Sequence, residues 1–66
     1  DYKKAVKWWC EAAEQGNPYA QYRLGICYFE GLGVEKDLDL ASEWLRMAAE
    51  GGKEDAIEML KKHFDA

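Results

Sequence analysis

Apolar residues return along this chain at intervals of three and four, and the pattern breaks only where glycine or proline stands. Tyr2, Ala5, Val6, Trp9, Ala12 and Ala13 form the first such stripe, which is the spacing of one face of an α-helix. It predicts a helix over about Tyr2–Gln15, closed by Gly16 in the left-handed conformation common at helix ends. Asn17 is a good N-cap and Pro18 suits a first helical position. A second helix therefore runs over about Pro18–Glu30 and stops at Gly31. Asp37 caps a third helix over about Leu38–Glu50, ended by Gly51 and Gly52. A fourth, over about Glu54–Phe64, opens with acids that suit the positive end of the helix dipole. Short connectors between such helices make them antiparallel neighbours. The expected fold class is all-α, with four antiparallel helices.

The stretch from Tyr28 to Leu38, YFEGLGVEKDL, joins the second helix to the third. Gly31 lets the chain leave its helix, and Gly33 permits a second backbone conformation that other residues resist. Leu32 and Val34 are expected to fold back over the open end of the helix pair. A phosphate-cradling glycine loop is excluded. GxGxxG and a following Lys-Ser/Thr are both missing, and Glu30, Glu35 and Asp37 crowd the stretch.

The chain repeats itself. At an offset of 36, Asp1, Ala5, Trp8, Ala12, Ala13, Glu14, Gly16, Ala20 and Leu24 fall on Asp37, Ala41, Trp44, Ala48, Ala49, Glu50, Gly52, Ala56 and Leu60. Those nine identities in thirty aligned pairs compare with roughly two for unrelated sequence of average composition. Tyr28 falls on Phe64, aromatic on aromatic. The offset lies in the period range of helical solenoids, so the four helices are expected to form an α/α repeat solenoid fragment.

Size sharpens this picture. A chain of 66 residues buries only about 60% of the surface it exposes when unfolded. Three Trp, four Tyr and two Phe must supply much of the core. Leu24, Tyr28, Trp8, Trp44 and Leu45 are assigned to it. The net charge of −4 is interleaved along the chain without a basic stripe, which argues against nucleic acid or an anionic membrane surface as partner. No apolar run approaches the roughly 20 residues of a membrane span, and no signal-peptide pattern occurs. The start at Asp1 rather than Met suggests a piece of a longer protein. No cofactor or metal set is expected from one His and two separated Cys. Cys10 and Cys27 are expected to be free and reduced or buried. They lie at unequal distances from the turn at Gly16, too far apart along the axis for a disulfide.

Several spaced motifs agree in order with a known pattern. They are Ala41/Trp44, Ala48/Ala49/Glu50/Gly52, Ala20/Leu24/Gly25/Tyr28 and Gly31/Gly33/Val34/Asp37. The chain thereby resembles the Sel1-like repeat, a relative of the tetratricopeptide repeat, over essentially its whole length. On that frame residues 1–16 are the second helix of a repeat, 17–52 a full repeat, and 53–66 a terminal capping helix. The last helix departs from the pattern, with Lys61 in place of Gly25, Glu58 in place of Tyr22 and Lys62 in place of Ile26. The N-terminal side is expected to carry further repeats of the parent chain.

The resemblance implies a non-catalytic adaptor or scaffold whose concave face binds a protein or peptide. A solenoid groove supports that reading independently of the family. The overlay places Tyr19, Tyr22, Arg23, Ile26, Phe29 and Glu30 toward that face. The competing reading makes Tyr22, Ile26 and Phe29 part of the core, and a third makes the chain a structural spacer. A remote alternative is the penicillin-binding activity of a secreted branch of the family, whose paired cysteines this chain lacks. Catalysis has little support. Ser42 has no Lys three residues on, His63 reads as an edge residue, and the pairs Glu11/Glu14 and Glu54/Glu58 read as solvated helix faces. The compartment is not legible.

Overall fold

A computed structural model describes residues 1–64; positions 65 and 66 of the segment read as a cap lie outside the described residues. Four helices follow one another, α1 Tyr2–Glu14, α2 Pro18–Glu30, α3 Leu38–Glu50 and α4 Glu54–Met59. The last of these widens into a π-helical turn over Leu60–Phe64. No strand occurs among the described residues. The fold is all-α, as the spacing predicts.

Local chemistry starts and stops these helices. The side chains of Asp1, Asn17 and Asp37 accept from the backbone N–H of Lys3, Ala20 and Leu40, each at 3.1 Å. Such caps stabilise a helix by about 1 kcal/mol apiece. Lys53, the repeat-mate of Asn17, makes no side-chain cap, and α4 has only Glu54 and Asp55 in its first turn to meet the dipole. The two ends built on AAE-x-G match in structure as they do in sequence. Asn17 N–H donates to Ala12 O at 3.1 Å, and Lys53 N–H to Ala48 O at 3.0 Å. Gly16 and Gly52 both stand at φ +93° to allow it.

Packing runs along the chain, α1 on α2, α2 on α3, and α3 on α4. Two clusters hold it. Leu24 sits with Ala13 and Ala20, and Val6, Trp9, Tyr28 and Trp44 pack around them. Leu45 sits with Ala48, Ala56 and Leu60, flanked by Tyr22, Met59 and Phe64. Leu24 and Leu45 are the largest apolar side chains sealed from water, each contributing about 1.5–3 kcal/mol by burial. Gln21 is the buried polar residue of the core, and its Nε2 donates to Ala13 O at 3.1 Å. That bond ties α2 to the end of α1, and among the described residues no buried side-chain nitrogen or oxygen is left without a partner.

The connector after α2 is a corner closed on α1. Gly31 takes φ +73° and Gly33 φ +75°. A Cβ on Gly33 would lie 2.7 Å from the carbonyl oxygen of Tyr2, so this position needs both an unusual φ and the missing side chain. Asp37 N–H donates to Tyr28 O at 2.9 Å and fixes the far side of the corner. Leu32 and Val34 are half-buried.

Two expectations are corrected. Trp8, assigned to the core, is 74% exposed. Its repeat-mate Trp44 packs on the α1–α2 cluster, whereas none of the described helices covers Trp8. The fourth helix is not α-helical to Phe64. Its last five residues form the wider π turn, which buries Leu60 and sets His63 and Phe64 beside Phe29.

Two predictions follow from these geometries. Gly33→Ala should cost about 2 kcal/mol or more, because left-handed strain adds to a backbone clash. Gly16→Ala has open space around its Cβ and should cost only the strain, about 1 kcal/mol. Thermal or urea melts give the order, and equal losses would show that the corner is not tight. Trp44→Ala should cost about 3 kcal/mol, the low end for a packed aromatic. Trp8→Ala should stay within about 0.5 kcal/mol, as for other open surface sites.

Candidate partner-binding face

One face of α2 carries the residues singled out from the sequence. Tyr19, Tyr22, Ile26 and Phe29 recur at intervals of three and four, so one side of the helix presents them together. Tyr19 is 52% exposed. Tyr22, Arg23, Ile26 and Phe29 are half-buried, and Glu30 is exposed. None is sealed by α3 or α4. Tyr19 is thus more exposed than Ile26, while Tyr22 and Ile26 share the half-buried class.

Two clefts flank α2. One, of about 150 Å³, lies toward α1 and is lined by Tyr2, Trp9, Arg23, Ile26, Glu30 and Leu32, with Cys27 at its floor. The other, of about 180 Å³, lies toward α4 and is lined by Tyr22, Asp55, Glu58, Met59, Lys62 and His63. The site residues thus divide. Arg23, Ile26 and Glu30 serve the first cleft, and Tyr22 serves the second. Phe29 is drawn toward the fourth helix, with its ring centroid 5.0 Å from His63 and 5.7 Å from Phe64.

Between the clefts, rings and cations alternate. The Arg23 guanidinium lies 5.1 Å from the Trp9 ring centroid and 6.0 Å from that of Tyr19. Lys53 Nζ lies 5.5 Å from the Tyr19 ring and 5.6 Å from the Tyr22 ring. The strip therefore reads Trp9, Arg23, Tyr19, Lys53, Tyr22. Contacts of this kind are worth about 0.5–1 kcal/mol each where exposed.

Trp9 and Lys53 were not among the residues picked from the sequence. Trp9 could have been found, because it and Arg23 each lie seven residues from Gly16. An antiparallel hairpin about that turn sets them level. Lys53 stands on a connector that no helical period reaches, and nothing in the sequence alone marks it. His63, read as an edge residue, is exposed but lies tilted against the Phe29 ring.

Cys10 and Cys27 are both free. Burial pushes both thiols above their ordinary pKa. For Cys10 the Glu14 carboxylate adds to this, by its charge and by accepting the Sγ–H at 3.7 Å. For Cys27 the Arg23 charge partly opposes the rise. Among the described residues no group of three or more His, Cys, Asp or Glu is placed to hold a metal ion. No helix among them is long and apolar enough to cross a membrane.

The chain matches the Sel1 repeat over residues 1–17 and 18–53. It belongs to the Sel1 repeat family. Repeats of this family are in general protein–protein interaction modules. Two similar proteins carry the name DAP3-binding cell death enhancer 1. The Rattus norvegicus protein is 40% identical over 98% of this chain, and the Mus musculus protein 38% over the same share. The chitin synthase regulator SKT5 of Saccharomyces cerevisiae is 34% identical over 92% of the chain. This chain spans 13% of the length of the two rodent proteins and 9% of the yeast one.

The thiols give a prediction. A raised pKa leaves less thiolate at neutral pH, so both cysteines should alkylate more slowly than a free thiol in a peptide. Two alkylated residues per chain without prior reduction are expected by mass spectrometry. Glu14→Gln removes the charge beside Cys10 and should speed its alkylation several-fold while leaving Cys27 unchanged. An unaltered Cys10 rate would show that Glu14 does not hold the thiol up and would leave burial and the Glu11 charge as the causes.

Proposed function

We propose that this chain is a non-catalytic interaction module, an adaptor or scaffold segment that binds a protein or peptide on the exposed face of α2. The observation that carries the proposal is Tyr19, half exposed between two clefts after all four helices have packed. Large rings held on a rigid helix add contact area at small entropy cost, which suits them to anchor a partner. Tyr22, Arg23, Ile26, Phe29 and Glu30 complete the face. The relatives' names point the same way, one to a binding protein and one to a regulator.

A second observation favours a scaffold role alongside the first. Ala5 and Trp8 on α1 are the repeat-mates of Ala41 and Trp44, by which α3 packs on the helix pair before it. A further helix pair on the N-terminal side would cover Trp8 in the same way. At the other end, Lys61 stands where close packing uses Gly25. The fourth helix therefore suits an end cap. On this reading residues 1–16 close one repeat, 17–52 form a full one and 53–66 terminate the array.

The test is capture of binding proteins from a cell extract by the parent protein, wild type against Tyr19→Ala and Ile26→Ala. Both variants should keep their helicity. Loss of one or more specific partners with both is the expected result. Identical partner sets for all three would put the spacer reading ahead.

A further inference from the structure

The strip Trp9, Arg23, Tyr19, Lys53, Tyr22 has more cationic capacity than the chain itself uses. The guanidinium carbon of Arg23 lies over the Trp9 ring at 5.1 Å and over the Tyr19 ring at 6.0 Å. Stacking occupies the face of a guanidinium and leaves its in-plane N–H donors free for bidentate contact with a carboxylate. Among the described residues Arg23 makes no ion pair and no hydrogen bond. Glu30 lines the same cleft without pairing with it. Lys53 has one ionic partner, Asp55 at 3.7 Å, whose side chain is mostly exposed. Such a surface pair is worth little. Arg23 and Lys53 sit against the same Tyr19 ring, and the apolar walls of Tyr2, Trp9, Ile26 and Leu32 continue from Arg23 into the cleft toward α1.

We infer that this face takes an acidic peptide segment, in which an Asp or Glu side chain lies on the edge of Arg23 and a second carboxylate meets Lys53. An apolar side chain next to the first carboxylate enters the cleft of Trp9 and Ile26. Two cations on one ring ask for two carboxylates, which an internal acidic segment supplies and a lone chain terminus does not. The inference rests on the interaction face proposed above and names the chemistry of its partner.

The probes are three end-blocked octapeptides in which leucine alternates with glutamate, with glutamine or with lysine. Each is titrated to millimolar concentration into the isotopically labelled 66-residue chain, and amide shifts are followed. The glutamate peptide should move the resonances of Tyr19, Arg23, Ile26 and Lys53. It should bind at least about tenfold more tightly than either control, as expected when a charge-assisted hydrogen bond is gained. Arg23→Gln should remove that advantage and Arg23→Lys should keep part of it, with helicity checked by circular dichroism. If the glutamine or lysine peptide binds as well on α2, or if Arg23→Gln leaves the glutamate affinity unchanged, the preference for acid is overturned and the interaction face stands. If no peptide moves α2, the acidic-segment inference falls, while the face is judged separately by loss of partners with Tyr19→Ala.

Discussion

α2 and α3 meet closer than a side chain on Gly25 allows. A Cβ there would stand 2.8 Å from Leu45 Cγ and 3.3 Å from the carbonyl oxygen of Ala41. The same two helices clasp again at the far end of their contact, where a Cβ on Gly51 would lie 2.9 Å from Pro18 Cγ. Between these points the buried positions are small, with Ala20, Ala41 and Ala48 sealed beside Leu24 and Leu45. Near contact multiplies weak dispersion terms over many atom pairs. This chain therefore gains its core from backbone proximity and a few leucines rather than from its large rings. Both clusters depend on that spacing. Leu24 joins α2 to α1, and Leu45 joins α3 to α4.

The same closeness determines which surface is left open. With α3 pressed on one side of α2, α1 and α4 occupy its flanks and leave shallow clefts. The aromatic residues are then free to sit at the edges. Trp9, Tyr22 and Phe29 rest one side on the core or on a neighbouring helix and turn the other toward solvent or a cation. Lys61 takes the position of Gly25 in the overlay. A helix bearing a lysine there cannot be approached as α2 is, so the feature that joins the two inner helices is missing at the outer one.

The sequence discloses what is set locally and by repetition. Cap residues, the glycine-closed ends and the corner at Gly33 follow from the demands of single residues on the backbone, and the overlay pairs Gly16 with Gly52 at the same φ. The six α2 positions share a face because helical geometry admits no other arrangement. What is not legible depends on neighbours. Trp8 and Trp44 are the same letter in the same motif, yet one is open and one is packed, because among the described residues only α3 lies on another helix pair. Periodicity says which side of a helix is apolar and is silent on what covers it. The π turn is of the same kind: Leu60, His63 and Phe64 meet Leu45 and Phe29, residues far away in sequence. Lys53 reaches the tyrosines from a connector, where no helical spacing applies.

A chain of net charge −4 is an unobvious receptor for acidic peptide, and the scale of electrostatics resolves the tension. At physiological salt the field of exposed charges is screened within about 8 Å. The acids spread over the outer faces of the helices therefore neither attract nor strongly repel a segment until it touches the surface. At contact the local groups decide. On the strip these are a guanidinium beside Trp9 and Tyr19 and an ammonium between Tyr19 and Tyr22, with Asp55 beside Lys53 and Glu30 lining the cleft that holds Arg23. The rings limit the freedom of both cations before any partner arrives, so less side-chain entropy remains to be lost on binding. Selectivity on this face is therefore a property of short-range geometry rather than of the overall charge.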